Sequence, residues 1–545
     1  MAWFSQVPVV DVHKDNFHEL RPSMQLAIQS ATFVAADAEL SGLGPRKLLV
    51  AHSVDDRYKA MCDIAKSRAL ISLGLSCFKI NPQQTCGDVV SFTVQSFDIT
   101  MLCNEDYIVE PGALSFLVEH GFDFNKQYSK GIPYYRGVDK GDGSDVHQFR
   151  ELFSEIIKAE KPLIFHNGFL DLVFLYQCFY SELPSSMATF LADLSEIFSG
   201  GLFDTKYIAE FHSRMSASYL EYVFRKSQRD NAVNQSKGLK HVTIGFPNYP
   251  TAMKCIEYRQ CGLPSNIMEP LGTTKLAVEL CMQYAGYGHC PLSTKCPKSH
   301  DPDQILDQED SVCENKRKRK RNRNRRKNKH KMEESETKTR KVVQDGLVIT
   351  EPAGETDENY IDARFDKQPN DPVHLDLNTN KCSGSGIESD KAMHCGTHGT
   401  MLEGDGEMHL GMKDESGIKK DVLERTEDKK TKKRADGSGD ANETGTMTSA
   451  VEKVGLLQKQ RMRGHRAGFD AFMTGFSMAA FIANHSTRGI SDTETDCSFI
   501  EKFSLQDIIN RLCLSGKEIP LHVRKSNFSK TSVNHRNKMK KLKEA

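Results

Sequence analysis

With 545 residues the chain is long enough for two or three domains, and its 73 basic and 73 acidic residues cancel, so net charge points to no class of partner. Its fifteen cysteines are scattered, and the opening MAWFSQVPVVDVHKDNF brings charge by residue 11 with no apolar signal-peptide core, which excludes a secreted disulfide scaffold and predicts reduced thiols in the cytosol or nucleus. The most membrane-like stretch, PLIFHNGFLDLVFLYQCFY, is interrupted by His166, Asn167 and Asp171, so it reads as buried globular core and no membrane is expected among the partners.

Residues 1–265 alternate short β-type runs with helical ones. ATFVAADAEL, bounded by the turn signal SGLGP, suits a buried strand. ALISLGLSCFKI and VVSFTVQSFDITML are rich in β-branched residues and separated by NPQQTCGD, so they predict two further strands in hairpin order. VHQFRELFSEIIKAEK has helical spacing and stops at Pro162; PLIFHN is then a fourth strand, GFLDLVFLYQCFY the helix after it, and GLFDTKYIAEF repeats strand then helix. Hairpins followed by β-α units predict an α/β fold, a three-layer domain with a mixed sheet.

Further along, residues 278–303 hold a short Cys/His cluster and residues 304–455 begin with a basic run. From Met332 to about Glu452 the chain is rich in Asp, Glu, Lys, Gly, Ser and Thr, too poor in apolar side chains to offset its ordering entropy, and is expected to be disordered. Order returns at about residue 456. Phe469, Phe472, Met473, Phe476, Met478, Ala479, Ala480 and Phe481 predict a helix with a broad buried face, which has little to pack against except the domain before it. Residues 456–530 form this late segment, and 531–545 a basic tail.

Asp37 and Glu39 lie two apart on the first predicted strand, so both side chains leave the same face. Two carboxylates there repel each other unless something positive lies between them, and a divalent cation is the economical solution. Asp171 sits near the start of a helix and Asp470 on the late helix, five residues after His465. Singly these are weak signals: a D-x-E on a strand is more often an exposed pair, Asp171 a helix cap, His465 a surface side chain. Gathered from three segments, they would make a two-cation oxygen-ligand site with a base beside it.

Asp37 with Glu39, Asp171, and the HRAGFD of His465 to Asp470 resemble the three motifs of the DEDDh group of 3′-to-5′ exonucleases. Within it, HGFDFNKQYSKGIPYYRG, FHNGFLDLVFLY and FDTKYIAE are similar to the poly(A)-specific ribonuclease and CCR4-associated-factor deadenylase family, over residues 1 to about 300 and 460 to 530. The resemblance implies a ribonuclease H-like fold split by the inserted zinc finger and disordered segment. It implies two Mg²⁺ per active site, held by Asp37, Glu39, Asp171 and Asp470 with Asp37 bridging, and His465 as the general base that takes a proton from the attacking water. The CCR4-associated factors commonly lack this histidine, which places the chain nearer the poly(A)-specific ribonucleases. The expected partners are single-stranded RNA 3′ ends, adenosine-rich or oligoadenylated, small nuclear RNAs among them; the expected product is a 5′-mononucleotide. Members often pair as homodimers, and the expected location is the nucleus, including nucleolus, nuclear speckles and Cajal bodies. A catalytically inactive CCCH RNA-binding adaptor and a DNA-trimming exonuclease are the competing functions.

Cys281, Cys290, Cys296 and His300 give C-x8-C-x5-C-x3-H, four N/S ligands able to close a tetrahedral shell around one structural Zn²⁺. The spacing resembles CCCH fingers that bind single-stranded RNA, with Tyr284 and Tyr287 to stack bases and Lys295 and Lys298 to meet phosphates. A purely structural or protein-binding finger is the alternative. From Lys316 to Lys331, twelve of sixteen residues are Lys or Arg; Lys316, Arg317, Lys318, Arg319, Lys320, Arg321, Arg323, Arg325, Arg326 and Lys327 read as a nuclear-localisation signal for an import receptor, or as an RNA-attracting run, rather than an inert spacer. Lys126, Lys130 and Arg136 interleave with Phe124, Tyr128, Tyr134 and Tyr135, a mix suited to guiding RNA, although half of those aromatics are expected in the core.

Overall fold

The computed structural model describes residues 4–137, 144–264, 279–342, 466–485 and 499–544. Among the described residues eleven strands form one mixed sheet: β1 (Gln6–Val12), β2 (Phe33–Leu40), β3 (Leu70–Ile80), β4 (Val89–Cys103), β5 (Ile132–Tyr134), β6 (Leu163–Phe165), β7 (Leu202–Asp204), β8 (His241–Gly245), β9 (Ile256–Gln260), β10 (Arg511–Leu512) and β11 (Leu521–His522). The order is β11-β10-β7-β6-β2-β3-β4-β1-β9, with β5 and β8 pairing the two ends of the long β4. The three expected hairpin strands are β2, β3 and β4, antiparallel in that order, and the β-α units add β6 and β7 in parallel beside β2. This is the α/β mixed sheet the sequence predicts, in the ribonuclease H-like arrangement the resemblance implies.

Helices cover both faces. Phe17, Met24 and Ile28 of Lys14–Ser30, together with Phe149, Phe153 and the helix Phe169–Leu175, fill the core on one face with Val34, Ala36 and Leu75. The late helix, Ala467–His485, lies on the other, where Phe469, Phe472, Phe476 and Ile482 meet Ala35, Phe78 and Phe92. Every residue from Ala467 to Ala483 is buried, so the helix is enclosed all round rather than along the one broad face its sequence predicts, as suits a helix with almost no polar side. Residues 1–331 and 443–545 form one compact unit, so the late helix belongs to the body that contains the first strands. Behind it packs the helix Leu220–Ser236, whose Phe224 contacts Phe469, Phe472 and Phe476 edge to face at 5.5–6.2 Å.

Two expectations change. The basic run is helical, part of Pro302–Val342, which continues past Met332 where disorder was expected; residues 343–465 lie outside the described residues. The basic tail, which as a charged block would be expected to stay solvated, is docked instead. Val533–Glu544 is a helix docked by the fully buried His535, which bonds Tyr180 Oη at 2.8 Å and Glu196 at 2.9 Å. PLIFHNGFLDLVFLYQCFY is the core segment expected, and no helix among the described residues is long and apolar enough to cross a membrane.

Candidate active site

The register of the sheet places a row of acids across it. Asp37 on β2 pairs with Gly74 on β3, Gly74 with Asp98 on β4, and Asp98 with Asp11 on β1, so these residues share one face. Two of the three acids have cations of their own. Lys126 bonds Asp11; Arg466 donates to Asp98 at 3.2 Å and to Glu257 at 3.4 Å. Asp98 also accepts from Ser72 Oγ at 2.8 Å. Among the described residues no lysine or arginine forms an ion pair with Asp37.

The late helix reaches this face because Gly74 has no side chain. A Cβ there would lie 1.8 Å from the Ala467 carbonyl oxygen, and one on Gly468 would meet Asp98 Cβ at 2.9 Å. Backbone thus rests on backbone opposite Asp37, and the first turn of the helix delivers Asp470 to it. Carboxylate oxygens of Asp37, Glu39 and Asp470 lie within 4.8 Å of one another, with Asp470 buried and the other two half-buried. Loss of water above all, then the charges of Asp470, Asp171, Glu39 and Asp98, hold the Asp37 carboxyl well above the ordinary range.

Asp171 enters from a third segment. Desolvation pushes its pKa up to about 7, with Asp204 adding to the rise, while its own backbone N–H and that of Ala38, between the two β2 acids, favour the charged form. The turn before it is fixed by buried polar groups. Asp204, fully buried, accepts the N–H of Asn167 at 2.8 Å and that of Cys513 at 2.9 Å, and Asn167 is held at φ 62°. His166 bridges Thr205 Oγ1 and the Ser218 carbonyl, each at 2.9 Å, and burial lowers its pKa to about 3, so it is neutral. The acids expected from sequence therefore converge; Asp171 touches the group at its edge, outside the tightest three. His465 lies outside the described residues, directly before Arg466.

Three carboxylates within reach of one ion, with Asp171 at their edge and no histidine or cysteine in the group among the described residues, fit a hard divalent cation of the Mg²⁺ class, and their crowding is unfavourable without one. The second cluster has the opposite chemistry. Ligand atoms of Cys281, Cys290, Cys296 and His300 lie within 4.8 Å of one another, the buried His300 Nε2 has no hydrogen-bond partner, and the Tyr284 N–H draws the Cys281 thiol below its ordinary pKa. A thiolate-rich tetrad with an imidazole nitrogen left for a fourth bond fits Zn²⁺.

Tyr284 is not free to stack a base. Its ring lies parallel to His300 at 4.4 Å and against Tyr219 at 5.6 Å, and its hydroxyl donates to Glu221 at 2.6 Å. Tyr287, 77% exposed, is free. Lys298 pairs with Glu279 at 2.8 Å, and Lys295 is exposed. In the third segment singled out for RNA, Tyr134 is core, Lys126 pairs with Asp11 and Arg136 with Glu105, so these side chains brace the fold. Lys316 to Arg323 are exposed along their helix; nothing is described of the side chains of Arg325, Arg326 and Lys327. Sequence reasoning missed Gly74, Asp98, Arg466 and Asp204. A glycine inside a β-branched run and an acid inside VVSFTVQSFDITML were their signals, since neither residue suits a strand without a partner.

A family model described as CAF1 family ribonuclease matches residues 12–145 and 139–478. The chain belongs to that family. An uncharacterised protein of Schizosaccharomyces pombe is 26% identical over 156 residues, 28% of this chain and 36% of that protein. The poly(A)-specific ribonuclease PARN of Danio rerio is 27% identical over 139 residues, 23% of this chain and 20% of its own length, and the pre-piRNA 3′-exonuclease trimmer of Bombyx mori is 23% identical over 145 residues, 26% and 27%. The match thus spans about a fifth to a third of the length of these relatives. Among solved structures, Pop2p of S. pombe in its Mg²⁺- and Mn²⁺-bound form is 21% identical, covering 41% of this chain and 82% of that one with a TM-score of 0.32.

Proposed function

We propose that this CAF1-family chain is a Mg²⁺-dependent 3′-to-5′ exoribonuclease that shortens adenosine-rich or oligoadenylated 3′ tails of nuclear RNAs, small nuclear RNA ends among them, and releases 5′-mononucleotides. One observation carries it: Asp37, Glu39 and Asp470, from segments over four hundred residues apart in sequence, bring carboxylate oxygens within 4.8 Å, with Asp171 at the edge. Such a cluster repels a phosphodiester unless cations sit between.

Asp37, Glu39 and Asp470 would hold one Mg²⁺, and Asp37 with Asp171 a second. Bound there, the ions would supply Lewis-acid stabilisation to both the attacking and the leaving oxygen of an in-line displacement. The chain's own residues position and move the proton. Arg466, tied to Asp98 and Glu257, anchors the backbone next to His465. His465 would accept the proton of the attacking water, histidine being the side chain whose intrinsic charge change lies nearest neutral pH. The relatives named for poly(A) and for pre-piRNA 3′ ends support RNA as the substrate class. The Cys₃His cluster would carry one structural Zn²⁺, and the exposed cations from Lys316 to Arg323 would meet an import receptor. Pairing of two chains is carried over from the resemblance alone.

Matched RNA and DNA strands, 5′-labelled and incubated with Mg²⁺, test this. The expected result is laddered shortening of RNA alone, abolished by Asp37→Ala. Binding without shortening would make the chain an RNA-binding adaptor, and shortening of both strands a general exonuclease.

A further inference from the structure

The Cys₃His cluster is gripped from two sides. On one, Tyr284 packs on Tyr219 and donates to Glu221, and Gly288 presses so closely that a Cβ there would lie 2.5 Å from the Tyr219 ring. The chain leaving the cluster is clamped to the same Leu220–Ser236 helix: Arg225 bonds Asp303 at 2.9 Å, Arg229 bonds Asp303 at 3.1 Å and Asp307 at 2.7 Å, and Tyr222 bonds Glu309 at 2.7 Å. Ile305 and Leu306 bury with Tyr222 and Val223 in a small core of their own. On the other side, Ser293 Oγ donates to Glu119 at 2.8 Å.

Each anchor is linked by hydrogen bonds to a segment that carries one of the clustered acids. Glu119 ends the helix Pro111–Glu119, nine residues or about 13 Å long. At its other end Glu110 accepts the N–H groups of Gly44 at 2.8 Å and Leu43 at 3.2 Å, in the loop that leaves the strand bearing Glu39. At the other anchor Tyr219 follows Ser218, whose carbonyl is bonded by His166 in the turn before Asp171. The finger is therefore tied to both acid-bearing segments, to one next to Ser218 and to the other through the length of the Pro111–Glu119 helix. A module that merely tethered substrate would need neither contact.

We propose that the finger is a fixed bridge across the mouth of the catalytic site, under which an RNA 3′ end passes as a single strand and at which a duplex stops. The proposal rests on the exoribonuclease reading and adds to it a limit on which single-stranded ends are shortened: those whose unpaired tail is long enough to reach the acids beneath the bridge.

RNAs with a stable hairpin stem followed by an unpaired 3′ tail test it in the full-length protein. The wild type should halt with a constant tail left on the stem. Undocking by Tyr284→Ala with Glu119→Ala, or by the wedge Gly288→Val, which touches no cysteine ligand, should move the halt at least one nucleotide toward the stem. Shortening of unstructured oligoadenylate should stay within about twofold. Zinc content should hold, and amide exchange of Leu220–Ser236 should quicken, showing that the finger is folded but released. An unmoved halt with quickened exchange overturns the bridge, as does unchanged exchange, which would mean that these contacts do not dock the finger. A loss of about tenfold or more on unstructured RNA also overturns it, because the finger would then support the acids instead of limiting access. A wild type that shortens unstructured RNA but runs into the stem refutes the bridge alone; one that shortens nothing refutes the exoribonuclease reading with it.

Discussion

Among the described residues Asp37 is the acid of its row left without a basic side chain, and the consequences are electrostatic. Asp171, pushed up to about 7 mainly by desolvation, binds a proton in the metal-free native state over a range where the unfolded chain, near 3.8, has lost it. Between about pH 4 and pH 7 the native state therefore holds more protons than the unfolded one, and stability without metal falls as pH rises through that window. Mg²⁺ needs the deprotonated carboxylates, so the rise in Tm on adding Mg²⁺ should be larger at about pH 8 than at about pH 5. Equal increments at both would show that these acids do not bind the ion. Gly74 makes a second prediction at this scale. Gly74→Ala sets a methyl against the Ala467 carbonyl and must shift the first turn that presents Asp470. A displacement of about 1 Å at a catalytic group costs on the order of a hundredfold, so activity should fall about that much while far-UV circular dichroism stays native. Unchanged activity would show that the late helix is not held by this contact.

At the scale of elements, the late helix is the piece on which the site depends. Phe472 lies among Phe4, Phe78, Phe224 and Phe476, and Phe472→Ala should cost about 3–5 kcal/mol in denaturant unfolding. A cost under about 1 kcal/mol would place the helix outside the cooperative core. The helix was legible in sequence because its apolar stripe stands out against the charged tract before it, and β2, β3, β4, β6 and β7 were legible through β-branched runs cut by Pro, Gly and Asn. Leu220–Ser236 was not. Its buried face includes Arg225, Gln228, Arg229 and Asn231, satisfied by Asp303, backbone carbonyls and Val242, so hydrophobic periodicity has nothing to detect. The same blindness hid the docking of Tyr284, whose aromatic ring reads identically in sequence whether it meets a base or His300. The acids themselves were legible, two apart on a strand and one near each helix start. What joins them, a glycine for backbone contact and an arginine for the neighbouring acid, depends on cross-strand register that spacing does not reveal.

At the scale of the molecule, one compact body is assembled from stretches separated by a long insertion. Loop-closure cost grows only about 0.6 kcal/mol per doubling of length, so the body tolerates it. Deleting Gly346 to Met447 should leave RNA shortening within about twofold, because none of the residues placed at either metal cluster falls within that tract. A larger loss would assign the tract a part in catalysis. Removing Lys316 to Lys331 should move a fluorescent fusion of the chain toward the cytoplasm without lowering the rate on short RNA in vitro; a fusion that keeps its distribution would argue against import through this run. The most direct measurement of the whole account is a time course of 5′-labelled oligoadenylated RNA in Mg²⁺, wild type beside Asp470→Asn. Stepwise shortening with release of 5′-AMP by the wild type, reduced at least about a hundredfold by the substitution, is the predicted result. Shortening at equal rates would contradict it, since Asp470 would then stand apart from the chemistry it is placed to perform.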